Sequence, residues 1–274
     1  MPRIALAWSK APKPGSIAAQ VAECLAALGA HVCEHRPHDE REAWPGWLRS
    51  CDLVVHRGVR PELLRLARAD PATSELPWCN PLAATLDVSD RWTLQTRLTH
   101  AGVATPSAWR HDAWSDILER HRAPCVVKQV DGRVGRAAHV IVQRNGQLPE
   151  MPPFDGPYLV QALVPGNGLD HTLYVAGDRV FLALKQVDTE GRRSELVAVA
   201  VPDARMHDLA LRVGEATGLE LFNLDAIHAP DGMVVVDVNP FPGFRGIHGA
   251  AEAIASHVLR RATAVAASRM DAGR

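Results

Sequence analysis

The segment LFNLDAIHAPDGMVVVDVNPFPGF, residues 221–244, holds the features that decide the fold. Its two apolar runs flank a proline–aspartate–glycine sequence, which is typical of a β-hairpin. Asp237 and Asn239 stand two residues apart, so they share one face of their strand. With a three-residue turn at 230–232, Asp225 falls opposite Asp237, and their Cβ atoms lie about 5 Å apart.

Three oxygen-bearing side chains on one face of this hairpin indicate a cation site. Adjacent buried carboxylates repel each other unless a counter-cation lies between them. Hard oxygen ligands that leave room for water and phosphate are typical of Mg²⁺ sites. A solvated face of an edge hairpin is the alternative, but the flanking runs MVVV and LFNL indicate a buried hairpin. We therefore predict that Asp225, Asp237 and Asn239 bind a metal ion.

Lysine is rare in this chain and is therefore informative. The chain has 30 Lys and Arg residues, of which four are Lys: Lys10, Lys13, Lys128 and Lys185. Lys128 and Lys185 each end an apolar strand-like run, PCVVK and VFLALK. Arg could have served wherever only charge or solubility mattered, so these two positions favour a compact ammonium near an anion.

Two glycine-containing loops are further candidates. Gly132 and Gly135 follow Lys128, and their backbone N–H groups could approach phosphate in a loop that closes as a lid. An ordinary hairpin turn explains that loop equally well. The second loop, NPFPGFRGIHG, leaves the predicted metal strand and can project Arg245 and His248 toward an anionic substrate. A rigid turn with a surface Arg is its alternative.

The order of the patterns predicts an α/β organisation. Strands alternate with helices over residues 1–85, which favours a small parallel-sheet lobe. Ser89 is the expected N-cap of the helix that follows, closed by Gly102. We expect a central unit over 86–157 and a C-terminal unit, rich in hairpins, over 158–274.

Composition narrows the function classes. The 274 residues carry a formal net charge of −1, whereas a dedicated nucleic-acid binder usually has a basic excess. No apolar run approaches the roughly 20 residues that span a bilayer, and the N-terminus lacks a secretory pattern. The five cysteines have no metal-type spacing and fit small buried hydrophobes. We expect a cytoplasmic protein without nucleic-acid or membrane partners.

Taken together, these features resemble the ATP-grasp superfamily and, within it, the RimK-type carboxylate–amine ligases. The likeness extends over about residues 80–250 and rests on the strand-borne Lys128, the glycine-rich loop, the strand YLVQALV and the Asp–Asp–Asn hairpin. It implies an α/β (α+β) ATP-grasp fold with an N-terminal parallel-sheet lobe, a central lid subdomain and a C-terminal antiparallel-sheet subdomain. It also implies ATP and Mg²⁺ as cofactors, with two ions bound and Mn²⁺ as a substitute.

The resemblance also implies roles for individual residues in nucleotide binding. Lys128 and Lys185 contact phosphates, the segment from Gly132 to Gly135 forms the lid, and Asp170 binds the ribose. On the hinge strand, Gln161 takes the position of an adenine-contacting Glu, and Ala162 and Leu163 line the purine pocket.

The implied chemistry is amide bond formation between a small carboxylate and an amine, both amino-acid- or peptide-like. The carboxylate attacks the γ-phosphate, and the acyl phosphate then meets the amine, which releases ADP and phosphate. Arg193 and Arg245 would bind the carboxylate by bidentate pairing. Homodimers are common among such enzymes.

The chain departs from this family's pattern at several positions. It has Arg91 where a Lys is frequent, Thr172 where an Arg often follows the ribose acid, and Asp237 where Glu-x-Asn is usual. Arg193-Ser194-Glu195 replaces a usual Arg-Ser-Asn. These changes blur the substrate assignment more than the nucleotide assignment.

The runner-up is a small-molecule kinase of the inositol phosphate kinase type, which shares the fold. DVNPFPGF resembles the final motif of those kinases, and His139 lies near where they place a functional His. Against this, DGRVG is closer to the ligase lid, and the sequence shows no dense basic cluster for a polyphosphate. A catalytically inactive nucleotide-binding scaffold is a third reading, which the complete metal triad disfavours.

Overall fold

The computed structural model describes residues 1–37, 44–131, 140–143, 147–166, 168–187 and 194–272. One parallel and two antiparallel sheets form its framework, so the α/β prediction is confirmed. No helix in the described ranges is long and apolar enough to cross a membrane.

The N-terminal sheet is parallel, with strand order β2-β1-β3-β4. Five of the six residues of β1 are buried, because helices cover both faces of the sheet. The elements of this lobe are β1 (Arg3–Trp8), α1 (Ile17–Ala27), β2 (His31–His35), a 3₁₀ turn (Gly46–Ser50), β3 (Leu53–Arg57), α2 (Pro61–Ala69), α3 (Pro71–Ser74) and β4 (Trp78–Cys79).

Two consecutive helices, α4 (Leu82–Ser89) and α5 (Arg91–His100), lead out of the lobe. The predicted N-cap at Ser89 is wrong, because Ser89 ends α4 and donates its hydroxyl to the Thr85 carbonyl at 2.8 Å. Asp90 is the N-cap of α5, and its carboxylate accepts from the Thr93 N–H at 2.7 Å. An apolar run before Ser89 already forms a helix, which leaves the cap to the next residue.

The central sheet is antiparallel, with strand order β5-β8-β6-β7. Tyr158 and Val160 of β8 pack on one face against α6, while Leu159 and Gln161 turn to the opposite face together with Lys128 of β6. The elements are β5 (Ala108–His111), α6 (Trp114–Arg120), β6 (Cys125–Gln129), β7 (Val140–Gln143) and β8 (Tyr158–Ala162).

The C-terminal sheet is antiparallel, with strand order β11-β10-β9-β12-β13. One face packs against α7 through an apolar core that includes Leu173, Val213 and Phe222. The elements are β9 (Leu169–Ala176), β10 (Arg179–Val187), β11 (Ser194–Ala200), α7 (Ala204–Thr217), β12 (Leu221–Ala229), β13 (Gly232–Pro240) and α8 (Ala250–Ala272).

The hairpin of β12 and β13 reaches the predicted register by a different route. Its turn has two residues, Pro230 and Asp231, and Ala229 pairs with Gly232. A two-residue turn alone would shift Asp225 out of line with Asp237. The strand β13 carries a β-bulge at Val236, which adds one residue and restores the Asp225–Asp237 pair.

A buried amide ties the N-terminal lobe to the C-terminal sheet. The Asn80 side chain is fully buried, donates to the Leu221 carbonyl at 2.7 Å and accepts from the Glu220 and Leu221 N–H groups. His56 Nε2 in turn lies 2.9 Å from the Asn80 carbonyl. Burial lowers the pKa of His56 to about 4, so the ring is neutral and donates this hydrogen bond at pH 7.

Candidate active site

A polar patch occupies the face of the C-terminal sheet that α7 does not cover. Asp225 pairs with Asp237 on one side and with Thr172 on the other, and Asp170 pairs with Lys185. Residues paired across strands share a face, so all five side chains project from the same side. We call these five residues the acidic face.

Asn239 extends the acidic face along β13. It pairs with Asn223, is exposed, and lies two residues beyond Asp237. Asn223 is buried and its Nδ2 lies 3.4 Å from an Asp225 oxygen. Sequence reasoning missed Asn223, although it stands two residues before Asp225 and so obeys the same alternation as Asn239.

The carboxylates of the acidic face carry an unfavourable concentration of negative charge. Thr172 donates to Asp225 at 2.6 Å, and Lys185 Nζ lies 3.9 Å from the same oxygen. Burial nevertheless raises the pKa of Asp225, and the charge of Asp237 adds to this effect. The pKa of Asp170 is also raised, by burial and then by Asp225. An oxygen-rich site with this need for positive charge fits a divalent cation.

Lys128 joins the central sheet to the acidic face. The residue is 7% exposed, and its Nζ donates to the Val236 carbonyl at 2.8 Å. That carbonyl belongs to the bulged residue, so the same irregularity that aligns the carboxylates also offers an acceptor to the lysine. Burial lowers the pKa of Lys128, and the charge of Asp237 opposes that shift.

The hinge residues have mixed surroundings. Gln161 is buried and donates its amide to Gln95 of α5 at 2.9 Å, so this contact holds its orientation. Ala162 and Leu163 are half-buried. Gln161 and Lys128 line a cavity of about 10 Å³, which is room for about one water molecule.

The loop after β13 is held in a strained conformation. Phe241 and Phe244 have φ values of 36° and 47°, a left-handed region that costs a bulky residue about 1–3 kcal/mol. Both rings are buried, Phe241 against Trp8 at 6.1 Å and Phe244 against Tyr174 at 5.1 Å between centroids. Aromatic packing therefore fixes the course of the chain leading to Arg245.

Arg245 lies in a second site rather than on the acidic face. It lines a cavity of about 740 Å³ between this loop and the N-terminal lobe, together with Arg57, Lys10 and Lys13. No basic cluster is recognisable in the sequence, but the fold brings four cations from three distant segments to this cavity. The predicted residues Gly132, Gly135 and Arg193, and also His139, lie outside the described residues.

Comparisons with known proteins agree with this architecture. Residues 179–260 match the family model for the inositol 1,3,4-trisphosphate 5/6-kinase ATP-grasp domain. A probable alpha-L-glutamate ligase from Trichodesmium erythraeum is 32% identical over 142 residues, which are 47% of this chain and 46% of the relative. A second, from Xanthomonas campestris, is 28% identical over 184 residues, or 62% and 63% of the two chains. The chain thus spans about half to somewhat under two thirds of these relatives' length.

Solved structures extend the likeness to nearly the whole chain. A RimK domain ATP-grasp protein from Sphaerobacter thermophilus has a TM-score of 0.69 and 22% identity, covering 94% of this chain and 99% of its own. The D-alanine–D-alanine ligase from Bacillus anthracis, complexed with ATP, has a TM-score of 0.67 and 13% identity, covering 98% and 100%. The chain therefore has the fold of these ATP-grasp proteins, and its sequence is similar to that of the glutamate ligases over about half of its length.

Proposed function

We propose that the protein is an ATP-dependent carboxylate–amine ligase that forms an amide through an acyl phosphate and releases ADP and phosphate. The observation that carries this proposal is the pairing of Asp225 with Asp237 beside two buried or half-buried lysines, Lys128 and Lys185. Its relatives named glutamate ligases, and the ATP-grasp ligases of the same fold, support this reaction class.

The residues of the acidic face fit Mg²⁺. Asp225, Asp237 and Asn239 would hold it through oxygen atoms, and Asn223 and Thr172 would orient Asp225. Bound metal, for which we propose two ions, supplies positive charge against the phosphate oxygens. Mn²⁺ has similar preferences for oxygen ligands and is the expected substitute.

The other residues would bind and orient the nucleotide. Lys128 and Lys185 place positive charge toward its phosphates, and Asp170 accepts from the ribose hydroxyl groups. Gln161, Ala162 and Leu163 are the proposed purine contacts on the hinge strand, with the segment from Gly132 to Gly135 as the lid. A lid is needed because water would hydrolyse an acyl phosphate.

The acid substrate would meet the nucleotide from the side of Arg245. Its carboxylate oxygen bonds to the γ-phosphorus as the bond to ADP breaks, and the amine then displaces phosphate. Neither step needs a covalent nucleophile from the chain. Arg193 and Arg245 are the proposed carboxylate ligands, and the relatives' names favour an amino acid such as glutamate among the substrates.

Phosphoryl transfer to a small molecule is the second candidate. The match of residues 179–260 to a kinase ATP-grasp domain favours it, and so does the four-cation cavity. The two candidates share nucleotide binding and differ only in where the γ-phosphoryl group ends.

Product accounting separates the two candidates. The protein is incubated with Mg-ATP and pools of amino acids, dipeptides and inositol phosphates, and ADP and free phosphate are quantified separately. We expect substrate-dependent ADP matched by an equal amount of phosphate. ADP without free phosphate would show that the phosphoryl group remained on the substrate and would replace the ligase with the kinase.

A further inference from the structure

The four-cation cavity is assembled from three segments that are far apart in sequence. Lys10 and Lys13 lie on the loop between β1 and α1, Arg57 ends β3, and Arg245 lies on the loop after β13. Its volume of about 740 Å³ lies within the range of small-molecule pockets.

No described residue neutralises the positive charge of this cavity. Its described wall contains no carboxylate, and no salt bridge between described residues involves any of the four cations. Two of the chain's four lysines stand here, in a sequence that otherwise uses arginine. The other two lie at the proposed nucleotide site, so lysine is kept for the places where an anion would bind.

Arg57 is held in place by two contacts of its guanidinium group. Its Nε donates to the Pro242 carbonyl at 3.2 Å, and its guanidinium lies 5.9 Å from the centre of the Phe241 ring. Burial, and then the charge of Arg245, lower the pKa of Arg57. Two like charges are thus held in proximity by a half-buried contact and a strained loop, an arrangement that an anion between them would stabilise.

Neutral donors line the same space. The cavity wall includes Ser16, Ile17 and Ala18, the beginning of the 11-residue helix α1, whose first N–H groups favour negative charge. Trp8 also belongs to the wall and is 2% exposed, and its indole N–H has no hydrogen-bond partner in the described structure. A buried donor of this kind is stabilised when an acceptor oxygen enters.

We propose that this cavity binds the acid substrate and selects a small molecule with at least two anionic groups besides any ammonium. The inference rests on the proposed function, which requires a carboxylate near the acidic face. The reacting group would lie toward Arg245, six residues beyond the proposed metal ligand Asn239, and the second anionic group toward Lys10 and Lys13. A singly charged acid would leave half of the cations without a partner.

The test is calorimetric titration of the full chain without ATP, so that binding is measured apart from turnover. The probes are tricarballylate with three carboxylates, inositol 1,3,4-trisphosphate with three phosphates, and propionate with one carboxylate. The variant is K13Q/R245Q, in which both altered side chains are exposed, and folding is checked by thermal melting. The matched control is R65Q/R212Q, which removes the same charge from exposed helix positions in α2 and α7.

We expect tricarballylate to bind about tenfold or more tighter than propionate, and K13Q/R245Q to weaken its binding about tenfold or more. The control should retain the affinity. Binding of inositol 1,3,4-trisphosphate without binding of tricarballylate would assign the cavity to a phosphorylated substrate and overturn the inference of an acid substrate. Trivalent probes that bind no tighter than propionate, or an affinity unchanged in K13Q/R245Q, would overturn the inference even if ATP turnover were normal. Selective binding without equal ADP and phosphate would instead overturn the proposed ligase alone.

Discussion

The two pairs of lysines in this chain occupy opposite structural environments. Lys128 and Lys185 project from strands of two facing sheets, are buried or half-buried, and contact a carbonyl or a carboxylate. Lys10 and Lys13 lie on one exposed loop, and no described carboxylate pairs with them. Strand lysines are positioned before any ligand arrives, whereas loop lysines can adapt to one. This difference suits an invariant nucleotide on one side and a variable acid on the other.

The largest expected effect comes from the acidic face. Asp237→Ala removes a proposed metal ligand, and we expect ADP formation to fall by about a thousandfold. Steady-state turnover at saturating Mg-ATP measures it. Asp231→Ala is the matched control, because it removes the same group from the exposed turn of the same hairpin. Full turnover in Asp237→Ala would show that the hairpin register has no role in metal binding.

The second effect tests the lysine comparison directly. Lys128→Met keeps most of the unbranched side chain but removes its charge, and we expect nucleotide affinity to fall about a hundredfold. Lys13→Met should leave nucleotide affinity within about twofold, because its loop faces the other cavity. Both affinities are measurable by titration with Mg-ADP. Equal losses of nucleotide affinity in the two variants would show that the two pairs of lysines do not serve separate nucleotide and acid sites.

The third effect concerns His56, which contacts the buried Asn80 that links the N-terminal lobe to the C-terminal sheet. The pKa of His56 is about 4, below its ordinary value, so the unfolded chain binds more protons between about pH 4 and 6.5. The stability from neutral His56 is therefore complete above about pH 6.5 and is lost as the pH falls toward 4. We expect a loss of about 2 kcal/mol in unfolding free energy between pH 7.5 and 5.

Urea unfolding at the two pH values measures this loss. His56→Gln keeps a donor for the Asn80 carbonyl but does not titrate, so its loss should be smaller by about 2 kcal/mol. The difference between the two proteins isolates His56 from the half-buried carboxylates Asp170 and Asp225, whose raised pKa values act in the opposite direction. Identical pH dependence in the two proteins would show that the fold does not lower the pKa of His56.

The acidic face could be predicted from sequence because it depends on local rules. Side chains two apart on a strand share a face, and this alone groups Asp237 with Asn239. The Asp225–Asp237 pair was predicted correctly from a wrong turn length, since the bulge at Val236 compensated for the shorter turn. Bulges depend on packing around the strand, which no local pattern of this hairpin contains.

The four-cation cavity could not be predicted in the same way. Arg57 and Arg245 are 188 positions apart, and their proximity follows from the contact of Arg57 with the Pro242 carbonyl and from the burial of Phe241 and Phe244. Only the rarity of lysine points to Lys10 and Lys13, whereas Lys128 and Lys185 are also distinguished by the apolar runs that they end. A site that is assembled by long-range packing can be recognised only when the fold is known.

The smallest expected effect concerns Thr172, one of the positions that depart from the ATP-grasp pattern. Thr172 is fully buried, and its hydroxyl donates to Asp225 at 2.6 Å. Thr172→Val keeps the shape but removes the donor, which leaves Asp225 less well oriented and harder to ionise. Partners that orient a metal ligand typically contribute tenfold or more to metal affinity. We therefore expect Mg²⁺ to bind about tenfold more weakly, so that ADP binding requires about a tenfold higher Mg²⁺ concentration.

Thr217→Val is the matched control, because Thr217 is equally buried but donates to the Val213 carbonyl within α7. It should reduce stability slightly and leave the Mg²⁺ dependence unchanged. If Thr172→Val also left the Mg²⁺ dependence unchanged, Lys185 and Asn223 alone would orient Asp225. If both variants changed it equally, the effect would come from the general stability of the sheet. Only a change confined to Thr172→Val makes the hydroxyl a positioning group for the metal, in place of the Arg that the family usually has there.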